Sequence, residues 1–161
     1  MKKLLYLTIL LILVCKPLRA QSDTSSLRCL TEVVYQEAPE ESTTGKLAVA
    51  TVVMNRTHSR AFPHTVCGVV YQRGKKGCQF SWVCGHRIRK DSIHYAQAEA
   101  VAHAVLFDSV RLDAIKKAVY FHNVDVWPKW MQRELTRVAQ IGRHIFYAFP
   151  SNSRDSTDGN I

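Results

Sequence analysis

Apolar positions fall along this chain in two rhythms. Over Leu27–Gln36, Leu27, Leu30, Val33 and Val34 share one helical stripe, and Pro39 must end that helix because the residue before a proline is pushed out of helical angles. The stretch "TTGKLAVATVVMNR" sets Leu47, Val49, Val52, Val53 and Met54 behind a threonine-rich N-cap and predicts the main core helix. A third helix is expected over "DSIHYAQAEAVAHAVLFD", which leaves an Asp/Ser cap and carries Ile93, Ala96, Ala100, Val101, Ala104 and Val105. Lys129–Gln140 is read as a fourth. Three shorter runs, "CQFSWVC", "AVYFHNV" and "HIFYAF", are rich in aromatic and β-branched residues and predict strands. The sum is an α+β domain, mainly α, with a minor β element.

The two ends lie outside that pattern. "MKKLLYLTILLILVCKPLRA" has two lysines, an apolar run from Leu4 to Cys15 and a small residue at Ala20, the anatomy of a secretory signal over residues 1–20. The same run read as an uncleaved anchor is short for a bilayer. Residues 21–26, "QSDTSS", read as a flexible lead-in, 27–150 as the folded domain, and 151–161, "SNSRDSTDGNI", as a disordered tail with nothing to bury.

Removing the leader takes Lys2, Lys3, Lys16 and Arg19 and no acid, so the formal charge falls from +9 to +5. A modestly basic exported domain is drawn to polyanions. No run of cations interleaved with aromatics supports nucleic acid as a partner, and no segment beyond the leader suits stable membrane insertion. Cys15 leaves with the leader, and Cys29, Cys67, Cys78 and Cys84 remain. Four cysteines in an exported chain read as two disulfides with three connectivities. Cys78–Cys84, closing a small loop, with Cys29–Cys67 is the preferred pairing. The rival is a zinc site of Cys67, Cys78, Cys84 and His86, whose spacing lacks the paired C-x2-C of common zinc modules.

Candidate chemistry gathers where the first helix runs into "YQEAPEES". Glu37 falls at the helix C-terminus, where the negative end of the dipole raises a carboxyl's pKa, and Glu40 and Glu41 push the same way. A carboxyl kept protonated near neutral pH is what cleavage of a glycosidic bond needs as its general acid. Acidic triplets in turns are otherwise solvated surface.

"YQEAPEESTTGKLAVATVVMNR" resembles the opening signature of the SleB-type cell wall hydrolases, the spore-cortex-lytic enzyme family: Y-x-E-A-R-G-E-S, then G-x-x-A-V-A-x-V-x-x-N-R. The resemblance continues in order through "FPHTVCGVVYQ", "CQFSWVCG", "AVYFHNVDVWPKW" and "IGRHIFY", covering Cys29 to Tyr147. It implies a lysozyme-like, mainly helical catalytic domain, a lytic transglycosylase acting on peptidoglycan glycan strands between N-acetylmuramic acid and N-acetylglucosamine. No metal or organic cofactor goes with this reading, which places the protein in the periplasm or extracellular envelope. The acid/base of the family falls on Glu37 and its second glutamate on Glu41. Where the family has Arg-Gly, this chain has Pro39-Glu40, a rigid anionic corner in place of a flexible cationic one.

Beside that resemblance stand the other candidates. Glu41 and Asp125 are the second carboxylates available if the reaction is hydrolytic. Gln79 and Ser81 share a strand face suited to hydrogen-bonding N-acetyl groups, with Phe80 and Trp82 inward. Tyr120 and His122, on one face of their strand, complete the expected substrate contacts, while His144 reads as a core histidine. Trp127 and Trp130 offer flat faces to sugar rings or anchor the core. Asn55 and Arg56 read as structural, tethering the "EAPEE" loop. The alternative function is a peptidoglycan-binding or scaffold protein of the same fold without turnover.

Overall fold

The computed structural model describes residues 21–75, 77–85, 92–129 and 134–151. The leader, His86, Trp130 and residues 152–161 of the expected tail lie outside them. Helix α1 spans 21–37 and so takes in 21–26, read from sequence as a flexible lead-in. Leu30, Val33 and Val34 are fully buried along its inner stripe.

After a turn closed by Glu41 N–H donating to Ala38 O, helix α2 runs over Thr43–His58. Its N-cap is Ser42, whose hydroxyl accepts from Gly45 N–H at 3.3 Å. Six consecutive residues of α2, Ala48 to Val53, are buried, more than one helical turn. The helix is therefore enclosed on all sides rather than lying on a surface by one stripe. One core cluster joins it to α1, to the short helix α3 (Val66–Val70) and to α5 (Ser92–Phe107). A second, of Ala48, Val52, Ile115, Ala118 and Phe146, joins it to the sheet.

Between α3 and α5 lie a two-residue hairpin, β1 (Arg73–Gly74) with β2 (Gly77–Cys78), and one helical turn, α4 (Ser81–Cys84). The strand expected over "CQFSWVC" thus stops at Cys78. The disulfide Cys78–Cys84 closes a helical turn, and its six-residue separation with Cα atoms 5.8 Å apart matches such a loop. The phase of α5 also differs from expectation. Ala98, Val101, Ala102 and Val105 face inward, while Ile93, Ala96 and Ala100 are exposed. A helix this rich in alanine marks its faces weakly.

The main sheet is antiparallel with order β3-β5-β4: Ala118–Asn123, His144–Ala148 and Thr136–Ile141. Tyr120 pairs with Tyr147 and Phe121 with Phe146. The helix expected over Lys129–Gln140 is overturned for its second half, which forms β4. There Thr136, Arg137, Val138 and Gln140 are exposed and only Ala139 and Ile141 turn inward, an edge strand with a largely solvated surface.

Cys29 and Cys67 form the other disulfide, Cα atoms 5.3 Å apart, tying α1 to α3. Both preferred pairings are present, so three ligands of the zinc alternative are consumed as disulfides. No described helix is long and apolar enough to cross a membrane.

Candidate active site

Two charged residues sit on stripes that should be apolar. Glu37 follows Leu30, Val33 and Val34 by seven, four and three residues. Arg56 stands in the same relation to Val49, Val52 and Val53. Helical geometry therefore carries both inward at the ends of their helices. They meet in the wall of a cleft of about 280 Å³, open to solvent, whose lining also includes Gln79, Phe80, Ser81, Tyr120, Phe121 and Pro128. That volume lies just below the usual range for small-molecule sites.

Burial pushes the Glu37 carboxyl up to about 7, offset in part by the Arg56 charge and by the Trp82 side chain. Desolvation is the dominant cause. The neighbouring acids expected to help do not face it. Glu40 is exposed, and Glu41 turns to the β4–β5 connection, where its carboxylate accepts from Arg143 N–H at 2.9 Å. Lys46 holds the corner from behind, its ammonium donating to Pro39 O at 2.8 Å and Glu41 O at 2.5 Å. Lys46 is thus the tether expected of Asn55 and Arg56. Asn55 instead bonds Ile115 O and Ala118 O, fixing the entry to β3.

Arg56 is 2 % exposed. Its Nε donates to Val119 O at 2.7 Å, and its guanidinium lies 5.1 Å from the Phe62 ring, 5.2 Å from Phe80 and 6.0 Å from Tyr120. Burial lowers it to about 10, so it stays charged at neutral pH.

Of the expected substrate contacts, Gln79, Ser81 and Tyr120 line the cleft. Phe80 and Trp82 are buried and Ser81 exposed, so the inward and outward faces hold although the segment is helical from Ser81. His122 lies outside the lining. It is buried, its Nδ1–H donates to Asn123 O at 2.8 Å and its Nε2 meets the Tyr147 hydroxyl at 3.0 Å, which marks it as a packed residue behind the site. His144 is likewise buried, edge-on to Phe121 at 5.2 Å. Asp125 is exposed and paired with Arg143, so neither alternative carboxylate lies in the lining. Trp127 stands 80 % exposed beside Pro128, its ring 6.4 Å from His122.

Arg56, Phe80, Phe121 and Pro128 were not read as site residues. For Arg56 a signal exists: a cation in phase with Val49, Val52 and Val53 must be buried, and a buried cation needs a purpose.

The class defined here is a small, mainly helical α+β domain whose open cleft holds one buried carboxyl beside one buried guanidinium. The sequence pattern of the cell wall hydrolase family matches residues 40–147, and the chain belongs to that family. The matched segment begins just past Glu37. Spore cortex-lytic enzymes of Bacillus subtilis and Bacillus cereus are each 29% identical over 76% of this chain. This chain spans 37% and 44% of their respective lengths. The catalytic domain of the germination-specific lytic transglycosylase SleB from Bacillus anthracis is similar in structure, with a TM-score of 0.56 and 26% identity over 76% of this chain and 93% of that one. The catalytic domain of the Bacillus cereus SleB protein gives a TM-score of 0.54 at 25% identity, covering 79% of this chain and 90% of that one.

Proposed function

We propose that this protein is an exported lytic transglycosylase that cleaves peptidoglycan between N-acetylmuramic acid and N-acetylglucosamine, with Glu37 as its acid and base. The observation that carries the reading is a carboxyl buried in the wall of an open cleft and held near pH 7. Such a group is half protonated at working pH and able both to give and to take a proton.

Glu37 donates its proton to the glycosidic oxygen, and the bond from that oxygen to C1 of the muramyl sugar breaks with the electron pair going to oxygen. The resulting carboxylate takes the proton of the muramyl 6-hydroxyl as that oxygen closes on C1, giving the 1,6-anhydro end. One carboxyl suffices. A hydrolase of the usual kind needs a second within about 5–10 Å, and among the described residues of the lining Glu37 is the lone carboxylate. Gln79, Ser81 and Tyr120 supply hydrogen-bonding groups for the N-acetyl and hydroxyl groups of the sugars. The relatives' names, spore cortex-lytic enzyme and lytic transglycosylase, support the same substrate class.

The test is to incubate wild type and Glu37→Gln with peptidoglycan and weigh the released muropeptides by mass spectrometry. Anhydro-muropeptides from wild type and a loss of about 10²-fold or more in the variant are expected. Hydrated products would make the enzyme a hydrolase. Binding to the wall without release by wild type would favour the scaffold alternative, which the Pro39-Glu40 corner suggests.

A further inference from the structure

Arg56 is an expensive residue to keep where it is. It is almost completely buried, and its Nη1 has no hydrogen-bond partner among the described residues. A buried cation with an orphan N–H is costly unless something pairs with it. The fold uses the side chain for a single backbone bond, Nε to Val119 O, and three aromatic rings surround the guanidinium. The rings keep water away while their faces favour the positive charge. The same residue lines the cleft with Glu37.

We propose that Arg56 is a catalytic residue of this cleft, whose unpaired Nη1–H donates to the Glu37 carboxylate once that acid has given up its proton. The inference rests on the reading of Glu37 as the acid. In the form of the site that is ready to react Glu37 is protonated and Nη1 is unpaired. As the proton passes to the glycosidic oxygen and the C1–O bond breaks, negative charge appears on Glu37 and the waiting N–H is satisfied. When the carboxylate takes the proton of the muramyl 6-hydroxyl and the O6–C1 bond closes, the Arg56 bond is released and the form ready to react returns. Protons balance over the cycle, and Arg56 never gives one up. The interaction is stronger in the transition state than in the ground state, which is the condition for it to raise kcat.

The charged and titratable groups facing Glu37 are few. Arg56 comes from α2 and Tyr120 from β3. Glu40 and Glu41, on the loop that follows Glu37, are directed to solvent and to Arg143. The remaining lining is uncharged, so removing Arg56 removes the positive neighbour of Glu37 from this wall.

The experiment is the pH dependence of kcat and kcat/KM for wild type, Arg56→Met, Arg56→Lys and Glu37→Gln, with folding followed by circular dichroism. In Arg56→Met kcat should fall about 10²–10³-fold. Its alkaline limb should move up by about one to three pH units, because a carboxyl that loses an adjacent cation holds its proton to higher pH. Arg56→Lys should keep the limb near that of wild type and recover at least about tenfold of the lost rate. A structural role alone lowers activity without moving the limb, and that result, or a wild-type kcat in Arg56→Met, overturns the proposal. Should Arg56→Met fail to fold, Arg56→Gln, which removes the charge but keeps a hydrogen-bonding side chain, decides: a limb displaced upward with reduced kcat upholds the proposal, and an unmoved limb overturns it. Full activity of Glu37→Gln removes the acid reading itself. An inactive Glu37→Gln beside an unaltered Arg56→Met removes only the Arg56 role.

Discussion

Between its ordinary value of 4.5 and its folded value of about 7, Glu37 holds a proton in the folded protein that the unfolded chain has released. The folded state binds more protons in that window, so stability falls as pH rises through it. Below about pH 4.5 both states are protonated and nothing is lost; above about pH 7 the full cost applies, on the order of 3 kcal/mol from the size of the shift. Glu37→Gln, neutral at every pH, should therefore melt at higher temperature than wild type at pH 8, with the difference vanishing near pH 4. Thermal denaturation at the two pH values checks it, and a variant no more stable at pH 8 would mean that the carboxyl is not desolvated. Sequence places Glu37 at the end of its helix but assigns its raised pKa to the dipole and to Glu40 and Glu41. The dominant cause is burial, by residues that come 19 to 91 positions later, from Arg56 to Pro128. No local window contains them. What is locally legible is that Glu37 and Arg56 both continue an apolar stripe.

At the scale of elements, the corner between α1 and α2 is positioned by a side chain crossing to the sheet. The Glu41 carboxylate passes over two glycines: a Cβ on Gly45 would stand 2.8 Å from it, and one on Gly142 would overlap it outright. Gly142 also sits at a φ of +55°, the left-handed region that glycine enters without strain. Gly142→Ala should cost more than about 1 kcal/mol, since it adds strain and expels Glu41 together. Glu41→Gln weakens a charge-assisted bond to Arg143 N–H and should lower stability by about 1–3 kcal/mol while lowering kcat far less than Glu37→Gln. Denaturant melts paired with muropeptide release rates would separate these effects, and a kcat loss in Glu41→Gln equal to that of Glu37→Gln would return Glu41 to the chemistry. Elements with a decisive apolar rhythm, α1, α2, β3 and β5, were legible in sequence. The failures have separate causes. "CQFSWVC" is aromatic enough for a strand but is closed into a helical turn by its own disulfide, and β4 is an edge strand whose exposed positions lack the alternation that would have marked it.

For the molecule as a whole, the helix that bears Glu37 is fixed by a covalent link as well as by packing. Cys29–Cys67 closes 38 residues and Cys78–Cys84 closes six. On loop-entropy grounds the first should contribute about 4 kcal/mol and the second about 2 kcal/mol. Replacing Cys29 and Cys67 by alanine should therefore lower the melting temperature more than replacing Cys78 and Cys84, and reductant should lower that of wild type below either. Equal losses from the two pairs would contradict the loop-length argument. The longer link spans the boundary between the region that matches the family, from residue 40, and the helix just before it. Pairwise connectivity of this kind was a preference among three in the sequence, because four cysteines do not state their partners.

The exposed indole beside Pro128 also gives the protein an optical label of its own. Trp127 is 80 % exposed whereas Trp82 is 5 % exposed, so the emission of Trp127 should lie to the red and be open to iodide quenching. A glycan strand that runs out of the cleft past Pro128 would cover it, shifting emission to the blue and protecting it from iodide. Titrating Glu37→Gln with soluble glycan chains would then report occupancy in the absence of turnover. The share of the change that Trp127 carries should disappear in Trp127→Phe, and an unchanged spectrum with Trp127 in place at saturating glycan would send the strand out of the cleft by another side.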